Sequence, residues 1–441
     1  MILKAVIQKA FLLSVLLFTG CLHTRLPEAK ILQGPSDEGP LHWRRAVEIA
    51  LRDHPDLIEA RQSLQSKKHN RNQTIADFLP SADGSLTRSR SRTTGTRPME
   101  DDLDLGLSVD QTFFSGFENT ADFLKAKREW EAERWAYFEK SAEIRLSLRS
   151  AYIATMEEYQ LLAVTREIAK RRRENAELIR MRYEAGRENK GAMLRAKAIA
   201  DQAEFNVRQS ERQIEQKSLA LGRHLGGHFS EAIRVEENLE PLLPEKTEKP
   251  GNYPNLAESV PSVQRLIKNA EALKAGIAVS QSGLWPDVTG SFDYGYSGVR
   301  SSEMRDDASL RLRVDLPLFR GGETVLGILE ANADYRAAFE TARSARDEAI
   351  TDLSSAWIDF RDALEAVDVR RAFLEAARER AGIVRSQYSS GLVNFQDFDI
   401  AEQELADSER NYVTSLADAL RRQAGWEGAR GLTLEEALNE K

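Results

Sequence analysis

Two strictly alternating stretches stand out in a chain otherwise patterned for helices. Leu103, Leu105, Leu107 and Val109 are apolar, and Asp104, Gly106, Ser108 and Asp110 between them are polar or small. Leu310, Leu312, Val314, Leu316 and Leu318 alternate in the same way with Arg311, Arg313, Asp315 and Pro317. Weaker partners precede them: Ala82, Gly84 and Leu86 in one case, Val288, Gly290, Phe292, Tyr294 and Tyr296 in the other. A period of two predicts strands with one apolar and one polar face, here two hairpins over about 81–114 and 287–319. After each hairpin the period becomes helical. No glycine or proline interrupts Glu118 to Glu184, and only Gly327 and Gly382 interrupt Glu323 to Ser390. Leu146, Ile153, Met156, Leu161, Val164 and Ile168 recur at helical spacing and make one apolar face. At 1.5 Å per residue each of these helices is about 100 Å long, far beyond globular norms. Antiparallel return helices are predicted from about Lys190 to Leu221 and from about Asn394 to Gln423. A helix from Pro55 to about Asp77 precedes the first hairpin, and Pro261 opens its counterpart, proline being tolerated in a first helical turn.

The chain repeats itself. Leu148-Arg149-Ser150-Ala151-Tyr152-Ile153 aligns with Leu353-Ser354-Ser355-Ala356-Trp357-Ile358 at an offset of 205. Phe114-Ser115-Gly116 pairs with Phe319-Arg320-Gly321, and Gly226 with Gly431. Upstream the offset is 206, with Leu79-Pro80 against Trp285-Pro286 and Pro55 against Pro261. One residue has therefore been gained or lost between Pro80 and Phe114 or their counterparts, a change that belongs in a loop. Two repeats follow, 41–245 and 246–441, each a helix, a hairpin and a long helical hairpin (about 118–226 and 323–430).

Amphipathic strands of this kind serve soluble sandwiches as readily as membranes. Four of them cannot close a membrane barrel, which needs at least about eight strands of roughly 9–11 residues. The lengths fit, so strands of several chains would share one barrel. Asp110, Arg311 and Asp315 would then face a wet lumen and the leucines lipid. Arg88, Arg90 and Arg92 continue the parity of Leu86 toward the loop, where they are expected to meet outer-leaflet phosphates or, equally, plain solvent.

Composition and the N-terminus sharpen this. The 441 residues are 41% apolar and 30% charged with net charge −8, too charged for a bundle of membrane helices and too apolar for disorder. Basic residues interleave with acidic ones, which leaves no footprint for nucleic acid. Lys4 and Lys9 precede an apolar run to Phe18, then Thr19-Gly20-Cys21: residues 1–20 read as a secretory signal, too short to span a bilayer. Cys21, the single cysteine, has no disulfide partner in the chain. Its place after Gly20 resembles a lipoprotein cleavage site, although Phe18 replaces the usual leucine. Residues 21–40 read as a lipid-anchored tether.

The duplicated order of helix, hairpin and long helical hairpin resembles the TolC-type outer-membrane efflux protein family, including its lipoprotein members, from about Leu41 to Leu432. Ala46-Val47-Glu48-Ile49-Ala50-Leu51 with His54-Pro55-Asp56-Leu57 is similar to the family's opening motif. Gln387-Tyr388-Ser389-Ser390-Gly391 followed by Asp397 is similar to its helix-tip motif, and Arg182-Tyr183-Glu184-Ala185-Gly186 is the same element in the first repeat. The resemblance implies a homotrimer anchored in the outer membrane, with a twelve-stranded β-barrel, four strands per chain. It also implies a long α-helical barrel crossing the periplasm to meet an adaptor protein and an inner-membrane transporter. Asp397 would line a gated entrance as a ring of three carboxylates. Asp399 is a second gate candidate, although about 200° round the helix from it. Gly186-Arg187 and Gly391-Leu392 would be the tips presented to the adaptor, with Arg187 in place of the apolar residue expected there.

No catalytic or cofactor motif emerges: no phosphate-cradling glycine loop, no serine elbow, no paired cysteines. His224 and His228 have a metal-ligand spacing, but Gly226-Gly227 between them should break the helix, so neither enzyme, cofactor nor metal is expected. The rival reading is a tethered periplasmic coiled-coil scaffold or adaptor without channel activity. The hairpins and the duplication argue against it.

Overall fold

The computed structural model describes residues 31–32, 40–91, 100–229, 233–235, 238–244, 250–298 and 305–438. Cys21 and Arg92 lie outside these residues. The first repeat runs α1 (Trp43–Asp53), α2 (Pro55–Gln73), β1 (Ser81–Ser91), β2 (Glu100–Ser115), α3 (Glu118–Glu184) and α4 (Lys190–His224). The second runs α5 (Tyr253–Ser259), α6 (Pro261–Ser282), β3 (Asp287–Gly298), β4 (Arg305–Asp315), α7 (Glu323–Ser389), α8 (Phe395–Ala429) and a terminal turn α9 (Leu434–Ala437). The long helices have 67 residues each and the returns 35 each, with starts and ends 205 apart. Among the described residues no helix is long and apolar enough to cross a membrane.

Boundaries differ from the pattern at places with a physical cause. The fourth strand stops at Asp315, before Pro317, which has no N–H for a ladder. The return helices run on, to His224 and Ala429. Gly428 is held within α8 by close packing on the Leu146 side chain, a tertiary contact that outweighs glycine's poor helix propensity.

The four strands form one antiparallel sheet in the order β1-β2-β3-β4, so the two hairpins lie side by side. Ser81 opposes Asp110 as Asp287 opposes Asp315, so the register is duplicated with the sequence. The extra residue therefore falls in the hairpin loop, between the Ser91–Glu100 pair, against Ser297–Arg305 in the second repeat. Cross-strand rows sort the faces. Ala82, Val109, Phe292 and Leu310 form one row of the apolar face, and Ser81, Asp110, Ser291 and Arg311 one of the polar face. Leu310 is 85% exposed in the single chain. A bulge at Phe113 resets the β2–β3 register near the helices. There Phe117, in left-handed conformation (φ 70°), packs edge-on against Phe114 and Trp285 at 5.2 and 5.9 Å.

The helices keep the order of the strands. Near the sheet the sequence of neighbours is α2-α3-α6-α7. Farther away α4 packs on α3, α3 on α8 and α8 on α7. The main core lies where these layers meet. Val47, Ala50 and Leu57 pack on Leu148, Tyr152, Ile153 and Met156 of α3 and on Leu416 and Leu420 of α8. The Tyr152 hydroxyl donates to the Leu41 carbonyl at 2.7 Å. Trp357, the duplicate of Tyr152, anchors a second cluster with Phe360, Trp426 and Val263.

The return helices end against the entry prolines. Gly226 (φ 92°) lies so close to Asp53 and His54 that a Cβ would collide with the Asp53 carbonyl, and Gly431 (φ 72°) abuts the Pro261 ring likewise. His54 is buried here and its Nδ1 has no hydrogen-bond partner. Burial depresses its pKa; Asp56 opposes this, while His224, Lys140 and Arg223 add to it. Burial also lowers that of His224, with Arg223 contributing.

Two outcomes are expected. Gly226→Ala or Gly431→Ala loses about 2–5 kcal/mol, from left-handed strain plus collision, whereas Gly391→Ala, which meets no atom, loses about 1–2 kcal/mol. Melting of the purified protein ranks the three. Acidification is the second lever. Both histidines titrate lower when folded, so the unfolded chain binds more protons once pH falls through the ordinary value of 6.5. Melting temperature should drop between about pH 7.5 and about pH 5, and His54→Asn with His224→Gln should flatten that profile.

Candidate functional site

The far ends of the long helices gather the charged residues that packing does not explain. Each tip is built the same way. Gly186 (φ 69°) and Gly391 (φ 79°) stop α3 and α7 in left-handed conformation, which glycine adopts without steric cost. Gly186 N–H bonds to Tyr183 O at 2.9 Å and Arg187 N–H to Arg182 O at 2.8 Å. Gly391 to Tyr388 and Leu392 to Gln387 repeat the pair at 3.0 and 2.8 Å, so both tips are Schellman ends. Asn189 and Asn394 then cap the return helices, accepting from Ala192 N–H at 2.8 Å and Asp397 N–H at 2.9 Å. Gly186, Arg187, Gly391 and Leu392 are all exposed, Leu392 by 76%.

The two tips are fastened together inside one chain. The Arg182 guanidinium lies 4.7 Å over the Tyr388 ring and donates to the Tyr388 carbonyl at 3.0 Å. That ring stacks on Phe398 at 4.7 Å, and its hydroxyl donates to Glu188 at 2.8 Å. Burial, then the Glu188 carboxylate, raises the Tyr388 pKa, so the phenol stays a donor. One turn deeper, Asp399 is buried between Arg172 at 3.1 Å and Arg195 at 3.0 Å, and Arg172 also reaches Gln403 at 2.8 Å. Glu402, buried too, pairs with Arg385 at 2.5 Å, and Arg171 with Glu409. Removing the arginine from a buried carboxylate costs several kcal/mol, so Arg171 and Arg172 tie α8 to α3, and Arg385 ties it to α7.

The two aspartates of the tip therefore part company. Asp397 is exposed in the first turn of α8, where the positive helix end favours an anion. Asp399, turned about 200° away, faces inward and is neutralised by the chain's own arginines. Within one chain only Asp397 of the pair presents an exposed carboxylate. His224 ends α4, the chain turns at Gly226, and the His228 side chain lies outside the described residues.

Sequence reading missed Arg172, Arg182, Glu188 and Arg195, which bind the repeats to each other. Their signal lies in the broken duplication. Arg172 aligns with Ala377, Arg195 with Ile400, Glu188 with Val393, and Asp399 with Leu194. At these four positions the side chain that is charged in one repeat and apolar in the other lies where the repeats meet.

No curated protein matches the sequence. A family model described as outer membrane efflux protein matches residues 46–227 and 252–429. CusC, studied for its folding and transmembrane channel formation, superposes with a TM-score of 0.80 at 14% identity, covering 92% of this chain and 98% of CusC. The outer membrane protein VceC from Vibrio cholerae gives 0.76 at 21% identity over 88% of this chain and 95% of its own. The MtrE outer membrane channel of Neisseria gonorrhoeae, in its open state, gives 0.79 at 16% identity over 88% of each chain. The superpositions establish the fold, and with a family match that spans both repeats, the chain belongs to the outer membrane efflux protein family.

Proposed function

We propose that three copies of this chain form a gated duct through which substrate handed over by a periplasmic adaptor and an inner-membrane transporter leaves the cell. The observation that carries this reading is the open sheet. Among the described residues β1 and β4 each have a partner on one side only. Unpaired backbone groups cannot be left in hydrocarbon, so a lipid-facing sheet must close. The free edges are unlike each other, β1 and α2 on one side and β4 and α7 on the other. Head-to-tail contact of identical copies then closes a ring, and three copies supply twelve strands.

The polar face becomes the lumen, carrying Asp83, Asp104, Asp110, Asp293 and Asp307 against Arg305, Arg311 and Arg313. Asp397 of three copies forms the ring at the entrance, and the Arg172–Asp399–Arg195 and Arg182–Tyr388–Glu188 contacts hold that entrance narrow. Gly186-Arg187 and Gly391-Leu392 are the surfaces offered to the adaptor. Lipid on Cys21 is supported by the place of that cysteine, directly after Gly20 at the end of the apolar signal core. A scaffold or adaptor without a channel is disfavoured because it leaves the amphipathic sheet without a use.

The expected result is an outer-membrane fraction yielding a heat-resistant trimer that conducts ions in a planar bilayer. A non-conducting monomer would overturn the reading. Asp399→Leu and Tyr388→Phe should raise open-state occupancy, read as larger or longer single-channel openings, with Asp399→Leu the stronger because it leaves the buried Arg172 without its carboxylate. Asp397→Asn should lower cation preference in the reversal potential while leaving trimer stability within about 0.5 kcal/mol.

A further inference from the structure

The repeats differ on the lipid side of the sheet at one height. Because the hairpin registers are duplicated, Arg88 stands where the second repeat has Tyr294, and Arg90 where it has Tyr296. All four belong to the apolar face. Arg88 opposes Leu103, two positions along β1 from the Leu86–Leu105–Tyr296 row. Leu79 and its counterpart Trp285, both exposed, mark the sheet–helix junction, where Trp285 packs on Phe117. Arg88 and Arg90 follow Leu79 by nine and eleven residues, about 31 and 37 Å along a strand. Tilted about 45°, that is about 22 and 26 Å across a membrane whose apolar band on such barrels is about 25 Å tall. The far rim of the hydrocarbon thus meets two tyrosine hydroxyls 2.7 Å apart in one repeat and two guanidinium groups in the other.

We propose that Arg88 and Arg90 bind the anionic phosphate headgroups of outer-leaflet lipid, giving a trimer three basic lipid-binding patches that alternate with three tyrosine patches. The proposal rests on the barrel reading above. Tyrosine at this depth is an ordinary interfacial anchor. Arginine there extends its aliphatic stem along the neighbouring leucines and delivers a planar, always-charged fork to the phosphate plane, where two oxygens accept side by side. Both arginines also keep contacts within the chain, and Arg90 faces Asp101 in the register. Five N–H donors on each guanidinium serve such a partner and a phosphate together.

The test uses the full-length trimer in nanodiscs of phosphatidylcholine alone or with added lipid A, a glycolipid carrying phosphate monoesters. Lipid A should raise the melting temperature of the wild type by about 3–5 °C and remain bound in native mass spectrometry. Arg88→Tyr/Arg90→Tyr, which copies the second repeat and so keeps an interfacial anchor, should lose both effects, and Arg88→Lys/Arg90→Lys should keep part of them. Inorganic phosphate at the same concentration should leave melting unchanged. Persistence of the rise in the tyrosine variant overturns the proposal, and so does an equal rise with inorganic phosphate. An absence of trimer in both nanodisc preparations, with no conductance by the same protein in a planar bilayer, overturns the barrel reading instead.

Discussion

Everything in this molecule depends on the backbone groups along two strands. A four-stranded sheet with one apolar and one polar face has no stable place alone: in water it exposes its leucines, and in lipid its edges. Closure by further copies satisfies the edge hydrogen bonds and gives each face its solvent. The helices inherit the same logic, because they leave the sheet in strand order and carry its two open sides toward the tips. One set of free edges thus organises the sheet and the helical part alike.

Duplication supplies the ring with nearly equal segments, and departures from duplication give it direction. In the sheet the departure is chemical, with arginines in one repeat set against tyrosines in the other at equal depth. At the tips it is electrostatic. Arg172, Arg195 and Asp399 replace apolar counterparts and form an ion triplet between the repeats, in which Arg172 and Asp399 are buried and Arg195 is exposed. Removing one partner of the buried Arg172–Asp399 pair costs several kcal/mol, so this pair ties α8 to α3 near the tip.

The middle of the chain is the counterweight. Large apolar side chains such as Tyr152, Ile153 and Met156 are concentrated where α1, α3 and α8 meet, and Trp357 with Phe360 and Trp426 where α7 meets α8, while the long helices on either side are rich in alanine and ion pairs. Burial of large apolar side chains is therefore greatest at mid-height, with a smaller separate cluster of Ile179, Tyr388 and Phe398 at the tips. His54 and His224 sit in that counterweight, so its stability carries the pH dependence rather than the tip.

The sequence by itself determined the elements, their order and their duplication. Alternation at Leu103–Val109, unbroken helical stretches from Glu118 and Glu323, and the glycines at 186 and 391 are local signals. They depend on the residues' own conformational preferences and on spacing. The two hairpins and the tip turns were legible for that reason. Only the tertiary structure decided which carboxylate is exposed and which is paired. Asp397 and Asp399 are two residues apart in the chain, but Arg172 and Arg195 reach Asp399 from 227 and 204 residues away. Ion pairs of that separation follow from how α3, α4 and α8 pack, and no periodicity along a single chain encodes them.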